Sequence, residues 1–177
     1  KTLCPNTTYV IVDRPEKFLF SAVYSMNHFP KAVMRFVQED SDTPSKDVFR
    51  ETDFLFVPES CFEALHPERL DLVVNLLSFE RQSTSKVDAY LRWAYELQCP
   101  FVYSFNRDHN PANEDLASLT DVIRQTYWPH DIPVMPVDFN EMLDGVVRGK
   151  SLRARLQRRH EKRGKYRHII GWRRLLL

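Results

Sequence analysis

The 177 residues are enough for one domain with a sizeable core, and a chain that is 43% hydrophobic and 28% charged is neither disordered nor fibrous. No apolar run approaches the roughly 18–20 residues of a membrane span, and no apolar stretch with a small-residue cleavage site follows Lys1. The net charge of +1 conceals an asymmetry: residues 1–147 carry 13 Lys and Arg against 23 Asp and Glu, a net of −10, whereas residues 148–177 carry 12 against the single acid Glu161, a net of +11.

Tyr9-Val10-Ile11-Val12 is a short β-branched run ending in Asp13, the pattern of a buried parallel strand. Pro15 suits a first helical turn, and Phe18, Ala22, Val23 and Met26 recur at helical spacing before Pro30. Residues 38–52 are polar and loop-like. Phe54–Val57 is the next strand, stopped by Pro58, and Leu70–Asn75 is a third. Ser83 or Ser85 can cap a helix from about Lys86 to Leu97, with Val87, Tyr90, Leu91, Ala94 and Leu97 on one face. Pro100–Phe105 is a fourth strand, closed by Asn106-Arg107-Asp108.

A helix is expected from Asn113, where Glu114 and Asp115 favour a start, with Leu116, Leu119, Val122 and Ile123 inward. Ile132–Val137 contains prolines and fits an edge strand. Residues 139–163 read as a basic helix, and Tyr166–Trp172 as a final strand. Strands alternating with helices argue for an α/β fold with a parallel sheet, whose ligands bind beyond the carboxyl ends of the strands. That rule singles out Asp13, Pro58 to Ser60, Asn75 to Phe79, and Asn106 to His109.

Cys4, Cys61 and Cys99 have no paired spacing, so free thiols in a reducing compartment are expected and a structural zinc is not. Asn6-Thr7-Thr8 matches a glycosylation triplet that is common by chance. The start at Lys1 is what a fragment or a processed chain would show.

The ordered set YVIVDRPE, FLFVP, DLVVNLLSF, AYLRW and FVYSFNRD resembles the sugar O-methyltransferases, a family of class I S-adenosylmethionine-dependent methyltransferase-like domains found with bacterial polysaccharide genes. The resemblance covers residues 8–108 and extends more loosely to YRHIIGWRR, at the place of the family's last strand. It implies a Rossmann-like sheet, mostly parallel with helices on both faces. Tyr9–Asp13 would be its second strand, Phe54–Val57 the third, Leu70–Asn75 the fourth and Phe101–Phe105 the fifth.

The first strand and its glycine loop are not in the sequence, and no G-x-G replaces them. Residues 1–147 would then be a partial domain, with 148–177 supplying a basic helical segment and the last strand. By the same resemblance, the cofactor S-adenosylmethionine would meet Asp13 at its ribose hydroxyls and Asn75, Ser78 and Phe79 near the transferring methyl group. Asn106 and Arg107 would meet the sugar acceptor. The family's glutamate-methionine pair is replaced by Phe79-Glu80-Arg81-Gln82.

Methyl transfer to a hydroxyl needs an aligned oxygen and a base, and Glu80 and His109 are candidates by position. Each residue also has a plainer role open to it. Asp13 can cap a helix, Asn75 can be a turn residue, His109 a loop histidine and Glu80 a helix-entry or surface acid. Phe79, Trp93 and Trp128 are expected in the core.

The chain is thus expected to be the C-terminal portion of a sugar O-methyltransferase of glycan biosynthesis, inactive without its missing N-terminal segment. The alternatives are a non-catalytic module of a glycan-assembly protein and a basic-tailed binding domain. The basic residues are expected to pair with the acidic body, with a membrane surface second and nucleic acid last. A cytoplasmic location follows, peripheral to the inner membrane face if the tail binds lipid.

Overall fold

The computed structural model describes residues 1–39, 44, 46–110, 112–132 and 166–174. The chain divides into two compact units, Lys1–Glu68 and Arg69–Leu177, a boundary distinct from the change of charge at residue 147. Its content is mixed α/β.

The first unit holds three parallel strands, β1 (Tyr9–Asp13), β2 (Met34–Phe36) and β3 (Phe54–Pro58), in the order β1-β3-β2. β3 lies between the other two, and all five of its residues are buried, as its unbroken apolar run requires. A 3-10 turn at Pro15–Lys17 leads into α1 (Phe18–His28). Phe18 and Ala22 of α1 pack on Phe54 and Phe56, and the Phe36 ring stacks on Phe56 at 4.6 Å between centroids.

Val23 and Met26, which share the helical spacing of this apolar set, are exposed. β2 and the short helix α2 (Lys46–Glu51) are not apparent in the sequence pattern. β2 is only three residues long, and α2 lies in the polar stretch that reads as a loop.

The second unit holds a four-stranded mixed sheet. Its strands are β4 (Leu72–Leu76), β5 (Phe101–Arg107), β6 (Tyr127–Asp131) and β7 (Tyr166–Arg173), in the order β4-β5-β7-β6. β4 and β5 are parallel, while β7 runs antiparallel to both β5 and β6. β7 fulfils the expected final strand.

β6 lies before the stretch expected to be an edge strand, of which residues 133–137 are outside the described residues. The helix expected over 139–163 is outside them too.

Two helices cover one face of this sheet: α3 (Thr84–Glu96) and α4 (Leu119–Thr126). Ser83 caps α3 by accepting a hydrogen bond from the Lys86 N–H. Val87, Leu91 and Ala94 point inward at the predicted spacing. α4 begins later than Asn113, because Ser118 is its cap and accepts from the Asp121 N–H. Asn113 instead donates to Glu80 O and Gln82 O. The core comprises Val87, Leu91, Val102, Leu116, Leu119, Ile123, Tyr127 and Ile169, among others.

Candidate functional site

The carboxyl ends of β4 and β5 bring together most of the polar residues singled out in the sequence. β4 ends at Leu76, and Leu77 then adopts φ 58°, a left-handed conformation that costs a non-glycine residue about 1 kcal/mol. The Leu77 N–H donates to Phe105 O at 2.9 Å, which ties the turn to the neighbouring strand. This bend returns the chain over β4, so the Phe79 N–H can donate to Asn75 Oδ1 at 2.9 Å. A 3-10 turn over Phe79–Arg81 follows.

Asn106 is 1% exposed and lies beneath this turn. Its Nδ2 donates to Asn75 Oδ1 at 3.0 Å and to Ser104 Oγ at 2.8 Å, and its Oδ1 accepts from the Glu80 N–H at 3.4 Å. Glu80 is 3% exposed, and its Oε2 accepts from the Arg107 N–H at 2.9 Å. The side-chain amides of Asn110 and Asn113 both donate to Glu80 O at 3.1 Å, and Asn113 also donates to Gln82 O. The loop after β4 is therefore fastened to the end of β5 by carboxamides and one carboxylate. Buried polar atoms need such partners, since an unmade bond there costs about 1–3 kcal/mol.

The expected roles fare differently in this geometry. Glu80 is not a surface acid: it is buried, and its Oε2 accepts from the Arg107 backbone N–H. Phe79 is a core residue, 3% exposed, with its ring near that of Tyr90, so no ligand can stack on it in this conformation. Asn75 is more than a turn residue, because its Oδ1 already accepts two hydrogen bonds. Ser78 is exposed at the rim of the loop. The Arg107 guanidinium lies over the Tyr166 ring at 4.5 Å, and its Nε is buried without a hydrogen bond among the described residues.

His109 is exposed, with Nδ1 3.1 Å from Ala117 O. A carbonyl only accepts, so the proton resides on Nδ1 and Nε2 is the basic nitrogen. Of the two base candidates, only His109 presents a basic atom to solvent.

Asp108 anchors the start of α4. Its Oδ1 accepts from the Thr120 N–H at 2.7 Å, its carboxylate accepts from the Ser118 hydroxyl, and Arg167 stands 3.9 Å away. Burial works to raise this carboxyl group. The Thr120 bonds, the Arg167 charge and the Ser118 hydroxyl outweigh it and hold Asp108 below the ordinary carboxylate range. Arg167 also pairs with Asp131 and donates to Thr120 Oγ1 at 3.0 Å.

Asp13 belongs to the first unit. It ends β1, is exposed, and its Oδ1 accepts from the Arg14 N–H at 2.8 Å. Its side chain does not cap the 3-10 turn that follows, whose flanking residue is Arg14. Glu59 donates its N–H to Asp13 O at 3.0 Å, which joins the ends of β1 and β3.

Asn110 and Asn113 are not among the site residues singled out in the sequence. The density of Asn and Asp in Asn106–Asp115 is the one signal that could have marked them. Trp128, expected in the core, is 61% exposed, with the Arg174 guanidinium 4.0 Å above its ring. It sits on the face of β6 opposite the buried Tyr127, as strand alternation requires.

Among the described residues no group of three or more His, Cys, Asp or Glu side chains can hold a metal ion, and no helix is long and apolar enough to cross a membrane. No family model, no curated protein and no solved structure matches this chain.

Proposed function

We propose that these residues form the C-terminal portion of an S-adenosylmethionine-dependent sugar O-methyltransferase that acts in glycan biosynthesis in the cytoplasm. The observation that carries this reading is the pair of open parallel edges. β1 and β4 are apolar almost throughout, like interior strands, yet among the described residues each is hydrogen-bonded on one side only, each within its own unit's sheet. Such strands suit a Rossmann-like sheet completed by a further strand and its glycine loop. In the second unit, the polar carboxyl ends of the parallel strands β4 and β5 are where a ligand would sit.

The fit to S-adenosylmethionine is partial. Asp13 has an exposed carboxylate at a strand end, suited to accept from ribose hydroxyls. Ser78 and His109 are exposed, and His109 Nε2 could take the proton of an acceptor hydroxyl. Asn75 Oδ1 is occupied by two internal hydrogen bonds, which leaves its Nδ2 as the group that could meet a cofactor, whereas the Phe79 ring is in the core. When bound, the cofactor would supply an electrophilic methyl group. The chain's own contribution would be the rigid loop that Asn75, Glu80 and Asn106 hold in place.

A second reading, a non-catalytic module of a glycan-assembly protein, is favoured by the burial of Glu80 where a substrate-facing acid is expected. The two separate in one experiment, in which S-adenosylhomocysteine is titrated calorimetrically into the intact protein that carries these residues. Binding that Asp13→Ala weakens at least tenfold, with unchanged thermal stability, supports the enzyme. No affinity in the intact protein sinks it.

A further inference from the structure

We draw no further inference here: the strongest candidate, the polar pocket of about 480 Å³ beside the start of α3 and the end of α4, lined by Ser83, Thr84, Ser85, Asp88, Asp115 and Gln125, rests on a helix N-terminus and two carboxylates, and Asp88, whose Oδ1 has no hydrogen-bond partner among the described residues, is with its side chain still 24% exposed too open to water to point to a ligand.

Discussion

Asn106 Nδ2 donates to Asn75 Oδ1 at 3.0 Å, so the ends of the parallel strands β5 and β4 are joined side chain to side chain beneath the loop that follows β4. The acceptors around Asn106 Nδ2 are all oxygens: Asn75 Oδ1, Asn75 O and Ser104 Oγ. Asn106→Ala should destabilise the protein by about 2–3 kcal/mol in urea unfolding, because buried partners lose their donor. Asn106→Asp should be worse at pH 7, since a carboxylate would then face oxygen atoms. That environment raises the new carboxyl's folded-state pKa above its unfolded value, so the excess cost over Ala should shrink as pH falls and the group protonates. An Asp variant no worse than Ala at pH 7 would contradict the assigned amide orientation.

Gly171 of β7 lies against the end of α4 and the start of β6. A Cβ built there would stand 2.9 Å from Tyr127 Cβ and 3.3 Å from Ile123 Cγ2. Tyr127 is fully buried and cannot yield. Gly171→Ala is expected to cost about 1–3 kcal/mol by overpacking, seen as a fall in the melting temperature of several degrees. No change in melting temperature would mean that β7 lies farther from α4.

Asp108 gives a pH signature. Its folded-state pKa is held below the ordinary value, mainly through Thr120, against the raising effect of burial. A depressed carboxyl stabilises fully above its unfolded pKa of about 3.9, and loses that contribution as pH falls through the folded value. Asp108→Asn should therefore cost about 1 kcal/mol between pH 5 and 7, and the gap to wild type should close below about pH 4. Stability curves that stay parallel down to pH 3 would show that the carboxylate charge is not what holds the start of α4.

Much of the secondary structure could be read from the sequence. Near-continuous apolar runs gave β1, β3, β4 and β5, although of these only β3 is buried throughout and β1 and β4 are part-exposed. Capping is local chemistry within four residues, so the start of α3 was legible to within two residues as Ser83 or Ser85, and the structure selects Ser83. The start of α4 was misplaced because Asn113, which resembles a cap, is used to hold Glu80 O and Gln82 O instead, and nothing local distinguishes the two uses. β2 escaped notice because a three-residue strand carries too little pattern, and its position is fixed by pairing with β3.

The candidate site shows the same division. The strand-end rule located Asp13, Asn75, Asn106 and Arg107 correctly at the carboxyl ends. The fate of each side chain was not legible, since Glu80 could be buried or exposed depending on a bend at Leu77 that its own residue type does not favour.

By itself the sequence determined the strands β1, β3, β4, β5 and β7 and the helices α1 and α3, that the acidic and basic charge is segregated along the chain, and that polar residues gather at strand ends. These follow from local periodicity and composition. Only the tertiary structure decided that β7 inserts antiparallel between β5 and β6, that Glu80 and Phe79 turn inward while His109 stays in water, and that Leu72, Phe101, Trp172 and Trp128 align in one exposed row. Each of these depends on hydrogen bonds or packing between residues far apart in the chain, and such pairings leave no mark in the spacing of neighbours.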